Sequence, residues 1–151
     1  MEWIERLKGK IVGLDTAPLI YFIERHPKYL PLVRPFFEAM QRGEVHVVTS
    51  TLTLTEVLIY PYRRGDRALA GEYSDILLNA PNLKMLPVSP EIADHAARLR
   101  AAHGMKTPDS ILLAAALAAD ATAFLTNDSA IKSIHGLEIL VLDKLVTTPM
   151  P

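Results

Sequence analysis

The stretch Lys10-Ile11-Val12-Gly13-Leu14-Asp15-Thr16-Ala17-Pro18-Leu19-Ile20-Tyr21-Phe22-Ile23-Glu24 decides the fold. From Lys10 to Leu14 the chain is apolar without alternation, and the run ends on an acid, Asp15. A short continuous apolar run reads as a strand buried on both faces. Thr16 to Glu24 reads as a helix with Pro18 in its first turn, where a missing N–H costs nothing and the ring holds φ near its helical value.

The alternation continues outward. Tyr29 to Arg42 carries Leu32, Val33, Phe36, Phe37 and Met40 at helical spacing, and Gly43 terminates it. Val45 to Thr49 is a second strand. Leu52 to Tyr60 is a helix that Pro61 should stop, and Asp66 to Asn79 is another. Leu83 to Val88 reads as a short strand. Pro90 to His103 is amphipathic, with Ile92, Ala96, Leu99 and His103 inward, Arg98 and Arg100 outward, and Gly104 at its C′ position. Thr107-Pro108-Asp109 reads as an N-cap, a proline at N1 and an acid in the first turn. Ser110 to Ala119 is apolar nearly all round and rich in alanine, so it is a buried helix that can approach a sheet closely. Ala121 to Leu125 and Glu138 to Leu142 are the last strands. With no Asn-Gly or Asp-Gly hairpin signal, this order predicts an α/β fold: one parallel sheet joined by right-handed crossovers, in a three-layer α/β/α sandwich.

Composition narrows the function. The 151 residues suffice for one domain with a sizeable core, and no repeat or linker divides them. Half are hydrophobic and mean hydropathy is +0.18, which a sheet buried on both faces and an oligomer interface would absorb. The absence of cysteine excludes disulfides, thiol nucleophiles and thiolate metal sites. The N-terminal residues are too charged for a signal peptide, and no apolar run nears the roughly 20 residues of a membrane span. The expectation is a soluble, cytoplasmic protein. A formal net charge of −1 argues against a nonspecific nucleic-acid coat protein but leaves room for local basic contacts.

Four acids sit in settings that suit a metal-dependent nuclease: Asp15, Glu56, Asp109 and Asp128. Asp15 and Asp128 follow apolar strand-like runs, and Glu56 and Asp109 lie on or at the start of helices. Each has a plain alternative. Asp15, Asp109 and Asp128 could serve as helix caps or dipole partners, and Thr53-x-x-Glu56 has the form of a capping box. Read together, the acids favour a shared site. Glu56 stands among Leu52, Leu54, Val57 and Leu58, where an unpaired carboxylate is costly and no neighbouring Lys or Arg answers it. Parallel sheets bring strand C-termini to one edge, and carboxylates gathered there repel one another unless a hard cation lies between them.

Four segments in this order also carry a resemblance: Leu14 to Glu24, Ser50 to Leu58, Thr107 to Ala114 (Thr-Pro-Asp-Ser-Ile-Leu-Leu-Ala) and Phe124 to Asp128 (Phe-Leu-Thr-Asn-Asp). The chain resembles the PIN-domain nucleases, and among them the VapC-type toxins of toxin–antitoxin pairs, over a core of about 11–142. A short N-terminal extension (Trp3, Ile4 and Leu7 at helical spacing) and a Thr-Thr-Pro-Met-Pro tail flank that core. The resemblance implies strand order 3-2-1-4-5, and Asp15, Glu56, Asp109 and Asp128 as catalytic metal ligands. It further implies an endoribonuclease leaving a 5′-phosphate and a 3′-hydroxyl, a homodimer, and a small cognate antitoxin that blocks the acidic groove. All-carboxylate coordination suits Mg²⁺ or Mn²⁺, which would orient and acidify a water for in-line attack on RNA. Thr16 and Thr126 flank the acids as candidate supporting donors or phosphate contacts. Lys106 and Lys132 stand beside site acids as candidates for holding a substrate phosphate.

Other features carry less. The five histidines (His26, His46, His95, His103, His135) show no ligand spacing and read as packing or surface residues. Tyr60-Pro61-Tyr62-Arg63-Arg64 with Arg67 reads as a nucleic-acid or partner patch, or as a solvated face. The run Leu58 to Tyr62 suits a homodimer contact. A haloacid-dehalogenase-like phosphatase would need a second Asp where Ala17 stands, and a receiver domain would need an acidic pair that is lacking. A PIN-fold scaffold without catalysis and a housekeeping RNA-processing nuclease are the alternative functions.

Overall fold

Strand β1 (Ile11–Leu14) lies at the centre of a five-stranded sheet in the computed structural model, which describes residues 1–134 and 136–145. The order is β3-β2-β1-β4-β5, all parallel, with β2 at His46–Ser50, β3 at Leu83–Leu86, β4 at Ala123–Thr126 and β5 at Glu138–Val141. This is the order implied above. Gly13 pairs with Val48 on one side and Phe124 on the other, so the sequence-distant β4 borders β1. The chain order reverses between β1 and β4, and the crevice beyond their C-terminal ends is where such sheets hold ligands.

The pleat sends alternate side chains to opposite faces, and the two faces carry different cores. Val12, Leu14, Ala123 and Leu125 face a cluster built on Leu19, Phe36, Phe37, Met40 and Tyr73. That side is covered by α2 (Thr16–Ile23), α3 (Leu30–Gln41), α4 (Thr51–Arg64) and α5 (Arg67–Asn79). Phe124 faces the other way, into Ala114, Ala115, Ala116 and Leu113 of α7 (Thr107–Ala118), which packs with α6 (Pro90–His103). A Cβ on Gly13 would stand 2.6 Å from the Ala116 Cβ and 2.7 Å from Phe124 Cδ1. Glycine in β1 and alanine in α7 are therefore one feature: they let the helix seat directly on the strand. The N-terminal residues join the core as α1 (Glu2–Glu5), with Trp3 stacked on Phe36 and Ile4 and Leu7 buried.

Several expectations shift. Helix α4 runs through Pro61 to Arg64 and ends at Gly65, whose φ of 66° forms the left-handed cap. Pro61 is buried, and packing of its ring offsets the backbone bond it cannot make. His103 is exposed rather than inward, because α6 ends there, at Gly104 with φ 69°, one turn beyond the buried Leu99. Lys106, not Thr107, occupies the N-cap of α7, which moves Asp109 to the third helical position. Strand limits move by one or two residues. His135 and the C-terminal Thr-Thr-Pro-Met-Pro lie outside the described residues. Among the described residues, no helix is long and apolar enough to cross a membrane.

Candidate functional site

All four acids come to the C-terminal edge of the central strands. Asp15 follows β1, and its backbone N–H donates to the Leu125 carbonyl of β4 at 2.9 Å. It is also the N-cap of α2, with its Oδ1 accepting the Thr16 N–H at 2.8 Å. Its other oxygen, Oδ2, accepts the Thr126 hydroxyl at 2.6 Å. The Thr126 Oγ1 in turn accepts the Asp128 N–H at 3.0 Å. On the far side, the Thr16 hydroxyl donates to Glu56 Oε1 at 2.6 Å. An unbroken hydrogen-bonded chain therefore runs Glu56–Thr16–Asp15–Thr126–Asp128 and joins α4, α2, β1 and β4. The expectation for Thr16 and Thr126 takes specific form here: each hydroxyl orients one carboxylate.

The local alternatives for the acids sort differently. The capping box is not formed. Ser50 caps α4 through its Oγ, which accepts the Leu52 N–H at 3.1 Å, while Thr53 is buried and bonds the Thr49 hydroxyl at 2.8 Å. Glu56, two turns into α4, is thus free of a capping role and turned to Thr16. Asp128 caps no helix; its Oδ1 accepts the Ala130 N–H at 2.9 Å within its own turn. Asp15 does cap α2, so there the plain and the functional readings coexist.

Asp109 stands outside the hydrogen-bonded chain but inside its field. Burial pushes its carboxyl up to about 6, helped by the charges of Asp15, Asp128 and Glu56 and opposed by Lys106. Asp15 is also raised, chiefly by burial, against the Thr126 and Thr16 hydrogen bonds and with Asp128 adding repulsion. A carboxyl raised first by burial and then by three other acids marks a partly desolvated site of concentrated negative charge. Among the described residues, no three His, Asp or Glu side chains stand so as to enclose a metal ion by themselves. Mg²⁺ does not require such a cage: it keeps several waters and takes one or two carboxylates together with substrate phosphate oxygens. An oxygen-only donor set carrying this much mutual repulsion fits that ion and Mn²⁺.

A cavity of about 310 Å³ opens at the acids, lined by Asp109 and Asp128 together with Lys106 and Lys132. His103 also lines it, and the sequence reading had assigned His103 to the core. The helical period and Gly104 gave the end of α6, but not that the surface it packs on stops at Leu99, one turn earlier. The remaining residue without an earlier assignment is Asn127, between Thr126 and Asp128. Its Nδ2 donates to the Tyr21 hydroxyl at 3.2 Å, and its Oδ1 accepts the Asp143 N–H at 2.9 Å.

Comparison with known proteins agrees with this fold. Residues 12–137 match the PIN domain family model. Among solved structures, VapBC2 of Rickettsia felis bound to promoter DNA includes a chain that superposes with a TM-score of 0.67 at 20% identity, over 87% of this chain and 98% of the other. A toxin–antitoxin complex of Klebsiella pneumoniae gives a TM-score of 0.61 at 20% identity, over 85% and 95%. Mycobacterium tuberculosis VapC20, described as a sarcin–ricin-loop-cleaving toxin, gives 0.62 at 15% identity, over 76% and 86%. No curated protein sequence matches significantly.

Proposed function

The chain belongs to the PIN domain family, and from that premise we propose that it is a divalent-metal-dependent endoribonuclease, the toxin of a toxin–antitoxin pair. The observation that carries this reading is the convergence of four carboxylates at one sheet edge, with Asp109 pushed up to about 6 by burial and by the other three. Asp15, Glu56, Asp109 and Asp128 would hold Mg²⁺ or Mn²⁺. Once bound, the ion would supply a more acidic water and neutralise charge at the phosphate under attack.

The chain's own groups do the rest. Thr126 and Thr16 hold Asp15 and Glu56 by their hydroxyls, so both carboxylates enter the reaction already oriented. The rotational freedom they would otherwise lose on binding is lost on folding instead. Lys106 and Lys132 line the cavity next to Asp109 and Asp128, where their ammonium groups can take the phosphate oxygens of an RNA strand. Two cations lining the cavity also keep the acids from repelling a polyanion outright.

The substrate we propose is structured RNA, in keeping with the loop-cleaving neighbour named above. The partner is a small antitoxin, in keeping with the toxin–antitoxin complexes among the structural neighbours. An arginine from such a partner could fork onto two of the carboxylates and block the groove. Ile59, Tyr60 and Tyr62 are exposed on α4 and supply an apolar face for a homodimer. The reading is tested by incubating purified protein with structured RNA in Mg²⁺ or Mn²⁺ and in EDTA, beside Asp15→Asn and Asp109→Asn. Metal-dependent internal cleavage lost in both variants supports it, and cleavage that persists in EDTA or in both variants overturns it.

A further inference from the structure

Asn127 belongs to a closed ring of four residues behind the acidic edge, closed through the Asp143 backbone N–H. Its Nδ2 donates to the Tyr21 hydroxyl of α2 at 3.2 Å. Its Oδ1 accepts the backbone N–H of Asp143, in the short helix α8 (Leu142–Leu145), at 2.9 Å. Asp143 Oδ1 accepts the Tyr29 hydroxyl at 2.5 Å. Tyr29 then stacks on Tyr21, with ring centroids 4.3 Å apart and planes 15° from parallel. The Lys28 ammonium lies 3.8 Å from Asp143 Oδ1 and 5.2 Å over the Tyr29 ring, which adds a cation to the same corner.

The ring holds a particular piece of backbone. Asn127 separates Thr126, whose hydroxyl orients Asp15, from Asp128, which lines the same cavity as Asp109. Thr126 is the last residue of β4, paired with Val141 of β5, and the chain leaves the sheet at Asn127 and Asp128. A side chain held through both its donor and its acceptor restrains the backbone from which it springs. An amide is suited to this: one end donates and the other accepts, so a carboxylate or an aliphatic chain of the same size would lose one bond or both.

We propose that Asn127, clasped by Tyr21, Asp143 and Tyr29, is a positioning residue that sets the direction of the β4 exit and thereby aligns Thr126 and Asp128 for divalent-cation binding. The inference rests on the metal-dependent reading of the site. It reaches the metal only through backbone, so it acts on affinity without contributing a ligand.

The test is Mn²⁺ binding by isothermal titration to wild type, Asn127→Leu, Tyr29→Phe and the double variant. Asn127→Leu should weaken Mn²⁺ by about 10-fold or more, the scale found when a group supporting a metal ligand is removed. Tyr29→Phe keeps the stacked ring and loses only the hydroxyl to Asp143, so it should weaken Mn²⁺ by less. The double variant should be no weaker than Asn127→Leu alone, because both act through one clasp. Wild-type Mn²⁺ affinity in Asn127→Leu, even with a lower melting temperature in EDTA, would show a structural role only and overturn the proposal. Should Asn127→Leu not fold, Tyr21→Phe and Tyr29→Phe decide it: a loss of Mn²⁺ affinity in both supports the clasp, and wild-type affinity in either overturns it. Failure of the wild type itself to bind Mn²⁺ would instead overturn the metal-dependent reading, and the clasp with it.

Discussion

The two halves of the acidic pocket are built on opposite plans. On the strand side, Glu56, Asp15 and Asp128 are tied into one chain of hydrogen bonds through Thr16 and Thr126. On the α7 side, Asp109 takes the repulsion of the other acids, with Lys106 beside it as the opposing charge. The first half is pre-oriented, and the second is electrostatically loaded. Carboxylates of the same type thus carry different burdens. Burial raises Asp15 while hydrogen bonds pull it back, whereas Asp109 is raised by burial and by charge together.

The largest effects should not distinguish the halves. Asp15→Asn and Asp109→Asn should each lower metal-dependent RNA cleavage by at least about 100-fold, the scale of removing one oriented group from a reacting centre. Cleavage assays under saturating Mg²⁺ check this, and a loss confined to one variant would mean that the halves do not serve a single site.

Stability without metal should separate them. In EDTA, Asp109→Asn should melt a few degrees above wild type, because the neutral amide removes both the cost of burying a charge and the repulsion by the other acids. Asp15→Asn should gain less or nothing, since the amide must replace a carboxylate oxygen that accepts the Thr126 hydroxyl. Thermal melts in EDTA give both values side by side. Equal gains would erase the contrast drawn here.

The pH dependence sharpens the same point. Asp109 sits near 6 when folded, against 3.8 for an unperturbed aspartate. The folded state therefore binds this proton more tightly than the unfolded state does. That stabilisation is complete below the unfolded value and is lost as pH rises through about 6. The metal-free wild type should melt higher near pH 5 than at neutral pH, before general acid denaturation begins, and Asp109→Asn should show most of that slope removed. Asp15 contributes in the same direction. Melting curves across that range, with EDTA present, test it.

The smallest effects belong to the open side. Lys132→Ala should weaken RNA binding by about twofold to fivefold, the worth of one exposed ion pair, without changing Mg²⁺ binding. Lys106→Ala should do the same and should also move the pH dependence upward, since Lys106 holds the Asp109 carboxyl down. Binding titrations in the metal-free state and melts against pH separate the two lysines.

Much of this was legible in the chain itself. The apolar run into Asp15, Pro18 in the first turn, the alanine-rich segment after Asp109 and the glycines at 43 and 104 each constrain φ, ψ or burial locally, so alternation and the parallel sheet followed from them. The four acids were legible for the same reason: each stands at a strand exit or in a helix whose position follows from local pattern. Pro61 misled because the rule that proline ends helices is local, whereas burial of its ring is not. His103 misled because periodicity gives a direction around an axis but not where the neighbouring surface stops.

What only the tertiary structure decided is which groups meet. Thr16 and Glu56 are 40 positions apart, Thr126 and Asp15 are 111 apart, and Tyr29 and Asp143 are 114 apart. No local spacing encodes such pairs. Thr126 meets Asp15 because β4 pairs with β1 and carries Thr126, Asn127 and Asp128 to the end of the first strand, and the other two pairs likewise need helices brought together by the fold. The sequence determined the elements and the charge they bring, since backbone preference and hydrophobic period are properties of neighbouring residues. The assignment of each hydroxyl to its carboxylate, and of Asp109 to the repelled position, came from strand order, because electrostatics and hydrogen bonds act through space and not along the chain.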